Sequence, residues 1–468
     1  MKRRMYVMLR PVLSGCCILQ FFLSLHAQPK EPVRLQTIVA LALKNYPSIR
    51  SRQADVEAAA AFVTETKHAW LPSVKLNEQI DAGSDNSLTS AYFPMGIVPS
   101  ASGGRRPDNV GQIAVGNIGT VFGQWEVYNF GSYAARTQEA LAALQTGKAG
   151  LQVEQYRIQS AALQYYLDLL KYQSLATVQM LNIRRTDTIK RAIQAYINNG
   201  LRAGVDSSVA EAELSKARLT YLDLLNGLHQ VKNQLSALTG LDTAAIIADS
   251  SINAVLMPLL TRQLAAGTPA APHPVLDYFN AIYQDQLAKQ EVIRKSNLPK
   301  VHLLAAGWMR GSSISPLDVY DKNLLSGLSY SRFNYLSGIS ITYDLFDLKR
   351  TRYRLNEQRY QSQAAYQNLS EQRVLLNSSV TQAGINLQTA AGKLQEIPVQ
   401  QGAARAAYEQ KLAMYNAGLT NIVDLTNALY LLNRAETDAI LATDAAWKAL
   451  VQQAYASGSI NQLLSTLK

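Results

Sequence analysis

The sequence predicts a mainly α-helical chain that also contributes four strands to a membrane β-barrel shared between several copies. Three observations lead to this fold class. The two halves of the chain repeat each other, each half contains two strands of alternating polarity, and each half contains a very long helix with a return helix after a tight turn. The 468 residues are 48% hydrophobic and 17% charged, which permits a large core and excludes a disordered polymer.

The repeat keeps one spacing over most of its length. Tyr196–Leu201 recurs as Met414–Leu419, so that Gly418 follows Gly200 by 218 residues. Trp125–Phe130 lies over Tyr343–Leu348 at the same spacing. A register this constant indicates a duplication rather than chance. We therefore divide the chain into a first repeat at 28–240, an irregular equatorial insert at 241–273 that lies against the helices, and a second repeat at 274–468.

Each repeat is expected to begin with a helix and two strands. In the first, residues 35–68 are rich in helix formers, and Pro72 stops that helix before an alternating stretch that contains Val74, Leu76 and Ile80. Residues 83–110 have the composition of a long exposed loop, and a second strand of imperfect alternation follows at 113–127. The second repeat has strands at 301–308 and 335–345, joined by a loop at 312–334.

The strands alternate apolar and aromatic residues with small polar ones, which is typical of strands that face lipid on one side and a lumen on the other. Half-buried strands of a soluble sandwich are the alternative. Four strands that are always paired through a long polar loop fit that alternative poorly. Because four strands cannot close a membrane barrel, several chains must pool theirs.

The helices that follow the strands are exceptionally long. Residues 131–199 contain no proline and span roughly 100 Å at the helical rise per residue, and residues 206–239 return beside them. In the second repeat, residues 349–416 have the same length but contain Pro398, which should kink that helix or split it in two. Residues 424–467 form the last helix. Their apolar stripes require packing as coiled coils, and copies of the chain then form a hollow helical cylinder in the periplasm.

The first 27 residues read as a secretory signal peptide. Lys2, Arg3, Arg4 and Arg10 precede an apolar stretch at 12–25, and Ala27 lies at the expected cleavage point. A lipobox-like Leu13-Ser14-Gly15-Cys16 is the alternative and would make Cys16 a lipidated N-terminus. No later stretch has eighteen consecutive apolar residues. An exported protein without such a span is either soluble in the envelope or inserted as a β-barrel. The alternating strands favour the second, and the protein is then expected in the outer membrane, with its helices extending into the periplasm.

The sequence contains no candidate catalytic, cofactor-binding or metal-ligating residue. Its two cysteines, Cys16 and Cys17, leave with the signal peptide, and its five histidines show no metal-ligand spacing. Phosphate-binding and hydrolase motifs are absent from the sequence. The formal charge of +11 is spread along the chain, which argues against a nucleic-acid partner.

Over nearly all of the mature chain, the sequence resembles the TolC family of outer-membrane efflux proteins. The resemblance rests on the duplicated halves, on Tyr128-Asn129-Phe130-Gly131 before the first long helix, and on the two Gly-Leu…Val-Asp turns. It implies a homotrimer with one twelve-strand barrel and a twelve-helix periplasmic tunnel. Such a channel takes cargo from an inner-membrane transporter, or pump, through a periplasmic adaptor (membrane-fusion) protein, either in tripartite efflux or in type I secretion. It catalyses no reaction and needs no cofactor.

The resemblance also assigns residues at the two turns. The turns are the expected adaptor-docking tips: Gly200, Leu201, Arg202, Ala203, Gly204 and Val205 in the first repeat, and Gly418, Leu419, Thr420, Asn421, Ile422 and Val423 in the second. The expected entrance gate consists of Asp206, Tyr415 and Asp424. Thr420 stands where the family has an arginine and Asn427 where it has a second aspartate, and Arg202 is a candidate substitute for the arginine. Simple helix capping by Gly200, Gly418 and the two aspartates accounts for the same pattern.

Two other classes of protein remain open at this stage. A helical envelope spacer without a channel would explain the signal and the helices but not the duplicated strands. An envelope enzyme would lack a candidate site. The sequence leaves the cargo open among drugs, metal ions, proteins and metabolites, and it does not identify the pump or the adaptor.

Overall fold

A computed structural model describes residues 32–86, 108–199, 204–266 and 272–467 of the chain. The predicted signal peptide, the Cys16 alternative, most of the first interstrand loop and the first tip at 200–203 lie outside these residues. Among the described helices, none is long and apolar enough to cross a bilayer.

The described elements follow the predicted order in both halves. The first half contains α1 (Leu35–Asn45), α2 (Pro47–His68), β1 (Ser73–Gly83), β2 (Ala114–Tyr128), α3 (Ser132–Asn198) and α4 (Gly204–Thr239). A connection with α5 (Leu256–Ala266) leads to the second half, which contains α6 (Pro274–Ser296), β3 (Lys300–Ser312), β4 (Arg332–Thr342), α7 (Asp347–Asn416), α8 (Ile422–Ala456) and α9 (Ile460–Thr466). The prediction of two very long helices, each with a return helix, is confirmed.

Three predicted helices have different boundaries. The helix expected at 35–68 is two helices, because Pro47 forces the preceding Tyr46 into an extended conformation with ψ 126°. The helix expected at 424–467 breaks at Gly458, which has a left-handed φ of +74°. Of the two outcomes expected at Pro398, a kink or a split, the split is wrong, because α7 continues through this residue. α7 packs along α8, which offsets one missing backbone hydrogen bond.

The connection between the repeats is more ordered than the sequence indicated. Two short 3-10 turns precede α5, and Ile246 and Leu260 from this segment are buried in the main core. The indole Nε1 of Trp447 in α8 donates to Asn253 Oδ1 at 2.8 Å, which ties the connection to the helices. The expectation that this segment lies against the helices agrees with these contacts, but its irregular character was overestimated.

The four strands form one antiparallel sheet in the order β1-β2-β3-β4. The two repeats meet at its centre, where β2 pairs with β3. Within the described chain, one edge of β1 and one edge of β4 have no strand partner. Each half therefore supplies a hairpin, and the joined hairpins leave two open edges.

The two faces of the sheet differ in polarity. Directly opposed residues of antiparallel strands lie on the same face, and one such row is Leu76, Val121, Gly307 and Tyr335. We call the side that carries this row the apolar face; it also carries the exposed residues Val74, Ile80, Ile339 and Ile341. The other side carries rows such as Asn77, Thr120, Trp308 and Asn334, and we call it the polar face. An exposed apolar face opposite a polar one is the pattern of a barrel wall.

The main hydrophobic core lies where the helices of both repeats meet. Its largest fully buried side chains include Tyr166 and Leu169 of α3, Leu235 of α4 and Trp447 of α8. α1 contributes Ile38 to the same cluster. The core therefore fixes the two helical hairpins, α3–α4 and α7–α8, against each other, and the long helical arms extend from it.

A buried histidine joins the start of the second repeat to the end of α8. His273 precedes α6; its Nδ1 accepts a hydrogen bond from Val275 N at 3.2 Å, and its Nε2 lies 3.0 Å from Tyr455 O. The ring packs edge-on against the rings of Tyr156 and Tyr455. Burial lowers the pKa of His273 below the ordinary value of 6.5. The neutral ring, with Nε2 as the donor, is the form that this site stabilises.

The His273 site predicts a loss of stability at mildly acidic pH. The folded state resists protonation, whereas the unfolded chain takes up a proton near pH 6.5, so stability falls as pH drops through that value towards the lowered folded pKa. The midpoint of thermal unfolding, followed by circular dichroism, should fall more between about pH 7.5 and pH 5 in the native chain than in His273→Asn. An equal fall in both chains would contradict this role. His229→Asn serves as the control substitution.

Candidate channel entrance at the hairpin ends

The described turn between α7 and α8 is built by its capping residues. Gly418 has a left-handed φ of +77° and its N–H donates to Tyr415 O at 3.1 Å, while Leu419 N donates to Met414 O at 2.9 Å. Asn421 caps α8, because its Oδ1 accepts from Asp424 N at 2.8 Å. The capping interpretation of Gly418 is confirmed, and the caps fix the shape of the tip.

Asp424 is held at this tip by two side chains. Its Oδ2 accepts from Thr420 Oγ1 at 2.8 Å and lies 3.3 Å from Lys411 Nζ. The hydrogen bond from Thr420, followed by the interactions with Lys411, lowers the pKa of Asp424 below its ordinary value of 3.8. The Asp424 side chain is 44% exposed, so the carboxylate is both charged and accessible to solvent at neutral pH.

Lys411 is a residue that the sequence interpretation missed. It gives Asp424 a cationic partner on the opposite helix of the described turn. Lys411 precedes Gly418 by seven residues and Asp424 follows it by six. Positions nearly equidistant from the turn of an antiparallel helical hairpin face each other. This symmetry about the turn could have indicated the Lys411–Asp424 pair from the sequence.

Tyr415 lies inside the helical arms rather than on their surface. It is 2% exposed and belongs to a small cluster with Ile189 and Ile193 of α3 and Leu425 of α8. Ala210 of α4 belongs to the same cluster, so that all four long helices contribute to it. Tyr415 thus packs the two hairpins together near their ends, and its assignment to an entrance gate stays a prediction.

The first turn is described from Gly204 onward. Asp206 lies in the first turn of α4, directly after the exposed Val205. Across this hairpin, Lys190 pairs with Glu211, and Ser207 Oγ donates to Gln194 Oε1 at 3.0 Å. The position equivalent to Lys411 is Ile193, which is buried. The described ends of the two hairpins therefore differ in the ion pairs that hold them.

Apolar side chains are exposed at both tips. Leu419 is 73% exposed, and Val205 and Val423 are also exposed, while Ile422 is buried beneath them. Thr420, Asn421 and Asn427 lie around the same turn. Exposed apolar residues on a rigid capped turn are a common feature of protein contact surfaces.

Away from the tip, charged groups hold α3 against α8. The Arg185 guanidinium makes two hydrogen bonds to the Glu436 carboxylate, at 2.8 and 2.9 Å. Further along the same helices, Lys448 Nζ lies 2.8 Å from Asp168 Oδ1 and 2.9 Å from Asp444 Oδ2. These pairs join the first hairpin to the second at two levels. Sequence periodicity did not indicate them, because it does not reveal which distant helices become neighbours.

A sheet with an exposed apolar face and two open edges, continued by long helical arms, defines a membrane-embedded protein with a large extramembrane helical part. Comparison with known proteins agrees with this class. The profile of the outer membrane efflux protein family matches residues 38–241 and 283–459. Since this is most of the chain, the protein belongs to that family. A comparison with curated proteins found no match.

Solved structures of low sequence identity share the fold. The Campylobacter jejuni CmeC outer membrane channel has a TM-score of 0.71 and 15% identity, over 92% of this chain and 89% of that chain. VceC, an outer membrane protein of Vibrio cholerae, has a TM-score of 0.69 and 14% identity, over 91% and 96%. The open state of the Neisseria gonorrhoeae MtrE outer membrane channel has a TM-score of 0.67 and 15% identity, over 91% and 89%.

These findings confirm the predicted fold class, outer-membrane location and family resemblance. The protein is an outer-membrane efflux channel with helices in the periplasm, and it is not an enzyme.

The Arg185–Glu436 pair predicts strong coupling between the hairpins. Its side chains are only 27% and 12% exposed, so removing one partner leaves a poorly solvated charge. In a double-mutant cycle with Arg185→Met and Glu436→Leu, we expect a coupling free energy of about 1–3 kcal/mol, from chemical unfolding.

The matched control is Arg434 and Asp438, which lie 3.9 Å apart on α8 with side chains 65% and 37% exposed. Their coupling should stay below about 0.5 kcal/mol. Equal coupling in the two pairs would show that Arg185 and Glu436 do not specifically join the hairpins.

Proposed function

We propose that the chain assembles as a homotrimer and forms the exit duct of a tripartite efflux or type I secretion system. The duct passively conducts cargo that an inner-membrane transporter delivers through a periplasmic adaptor. The observation that carries the proposal is the sheet with two unpaired edges and an exposed apolar face. Such a sheet is stable in lipid only when copies pair edge to edge around a closed wall.

Three copies would supply twelve strands, which exceeds the minimum of about eight for a closed membrane barrel. The alternative, a non-channel helical spacer, needs no exposed apolar sheet face. A closed wall of strands continued by paired helical arms makes a conduit, and its partners are then outer-membrane lipid, two further copies, the adaptor and the pump. Energy for transport comes from the pump.

The tips are the proposed contact with the adaptor: Gly200–Val205 of the first turn and Gly418–Val423 of the second. Support comes from the exposed Val205, Leu419 and Val423 at the ends of the arms farthest from the sheet. The caps of α7 and α8 hold the second turn in one shape, which reduces the entropy lost on docking.

Docking at the tip predicts that Leu419→Glu weakens binding of the adaptor without unfolding the channel, because a charge replaces an exposed apolar contact. The amount of adaptor that co-purifies with the channel from cells should fall at least about tenfold. Leu375→Glu is the control, since Leu375 is exposed on α7 far from the turn. Equal adaptor recovery from both variants would remove Leu419 from the docking surface.

Asp206, Tyr415 and Asp424 are the proposed entrance gate. In a symmetric assembly each aspartate is repeated around the pore, and the resulting acidic ring attracts cations. Lys411 balances part of this charge and ties Asp424 to α7. We propose that Lys411 takes the place of the arginine that the family resemblance implies, beside any contribution of Arg202.

The gate predicts that Asp424→Asn or Lys411→Gln raises single-channel conductance in planar bilayers, because each breaks the same tie. Asp438→Asn, an exposed aspartate on α8, should leave conductance unchanged. Because the pKa of Asp424 is lowered, the tie is complete above about pH 3.8 and is lost only as pH falls below it. An unchanged conductance in both gate variants would exclude Asp424 from the gate.

A further inference from the structure

The connection between β3 and β4 lies on the sheet instead of extending away from it. We call residues 313–331 the flap. Ser313 N donates to Val115 O at 2.9 Å, and Val115 N donates to Ser313 Oγ at 2.8 Å. Farther along, Asn117 Nδ2 donates to Leu328 O at 2.9 Å. The flap is therefore tied to β2 at the end of the sheet away from the helices.

Close backbone contacts show which face of the sheet the flap covers. A Cβ at Gly311 would lie 2.2 Å from Ser329 O, and a Cβ at Gly119 would lie 2.6 Å from the Tyr330 hydroxyl. Gly119 is opposite Glu78 and Met309, two residues along each strand from the row of Leu76, Val121 and Gly307. Positions two apart share a face. The flap thus lies on the apolar face, and glycine is needed where it approaches most closely.

The flap supplies hydrogen-bond partners to Glu78 and to the Nδ2 of Asn117 on the apolar face. The Tyr330 hydroxyl donates to Glu78 Oε2 at 2.5 Å, and Leu328 O accepts from Asn117. Glu78 and Asn117 belong to the apolar face by their register. A carboxylate and an amide exposed to hydrocarbon would be costly. Their contacts explain why polar residues occur in an otherwise apolar wall.

The exposed surface of the flap carries apolar side chains beside a few charged ones. Leu325 is 70% exposed, and Leu317, Val319, Leu324 and Leu328 are exposed as well. The exposed charged residues, Asp318, Asp321 and Lys322, suit the headgroup level. Because the flap covers a face that is turned towards lipid, its own exposed side must meet lipid too. The flap backbone includes irregular segments and a 3-10 helix at Leu324–Leu328, which excludes the hydrocarbon centre of the bilayer. The neighbouring exposed rings of Phe333 and Tyr335 are typical of the interfacial level.

We propose that the flap is an interfacial anchor that inserts its leucines, Leu325 foremost, among the acyl chains of the outer leaflet near the headgroups. The occupant of this surface is membrane lipid, because the flap lies over β2 and β1 on the face of the sheet that is turned towards lipid. This inference goes beyond cargo export and depends only on the outer-membrane location of the strands. It assigns to the flap an anchoring role that is separate from the conduction of cargo.

The test places an environment-sensitive fluorophore on a cysteine at position 325 of the full chain, in vesicles of phosphatidylcholine. One set of vesicles carries a nitroxide on the acyl chain near the headgroup, a second set carries it near the methyl end, and iodide serves as the aqueous quencher. We expect the Leu325→Cys label to lose most of its fluorescence to the shallow nitroxide, less to the deep one, and little to iodide.

Two further labels and one unsubstituted control make the result unambiguous. Ile339→Cys on the apolar face should be quenched by lipid nitroxides, and Leu336→Cys, 65% exposed on the polar face, should be quenched by iodide alone. The unsubstituted chain, treated with the same reagent, reports any signal from Cys16 and Cys17. If Ile339→Cys responds to lipid but Leu325→Cys responds only to iodide, or to neither quencher, the anchor is overturned while the membrane location stands.

The tie to Glu78 provides a second measurement. In the Leu325→Cys background, Tyr330→Phe removes the hydroxyl that donates to Glu78, so the flap should loosen, with a loss of lipid quenching and a gain of iodide quenching. Tyr335→Phe, on the same face, is the control and should change neither signal. If the two substitutions act alike, the Tyr330–Glu78 contact does not hold the flap on the membrane side of the sheet.

Discussion

The unpaired hydrogen-bonding edges of the four-stranded sheet are the constraint on which the rest of the structure depends. β1 and β4 each have eleven residues and each leaves one row of backbone groups without a strand partner in the described chain. In lipid those groups have no water to bond, so the single chain is incomplete as a membrane protein. The exposed apolar face requires lipid, and the open edges require further copies. Because the two halves of the chain are duplicates, each copy supplies two β-hairpins. Fewer copies are therefore needed to close a barrel.

The helices of a single chain also leave apolar side chains uncovered. The core where the repeats meet is well buried, but much of α7 is exposed, with Tyr353, Tyr360 and Val374 among its uncovered side chains. Two apolar clusters join the hairpins, the main core and the small cluster around Tyr415 near the tips. Polar pairs make further ties: Arg185 with Glu436, and Lys448 with Asp168. The two hairpins are therefore held together at several levels along the arms.

Sequence patterns predicted the elements and their order because they are local properties. The alternation of apolar and polar residues predicted the strands. The absence of proline from residues 131–199 predicted α3, and the constant spacing of 218 residues indicated the duplication. What the sequence analysis missed depends on contacts between distant segments. The helix break at Pro47 was visible as a proline but was outweighed by the helix formers around it. The contact of Lys411 with Asp424 could have been predicted from their nearly symmetric positions about Gly418. The contact of Tyr330 with Glu78 could not, because it depends on the register of the strands. The tip at 200–203, part of the predicted docking surface, lies outside the described residues.

The central claim is that β1 of one copy pairs with β4 of the next, and disulfide trapping tests it directly. One cysteine replaces Leu76, and a second is scanned over Tyr335, Ser337 and Ile339 on the same face. Within one chain, β1 and β4 are three interstrand spacings apart, about 14 Å, which is beyond the reach of a disulfide. Oxidation of membranes should therefore yield covalent trimers at one of these positions, and no cross-link when Leu336 on the opposite face is used. Chains that stay monomeric at every position would contradict the account.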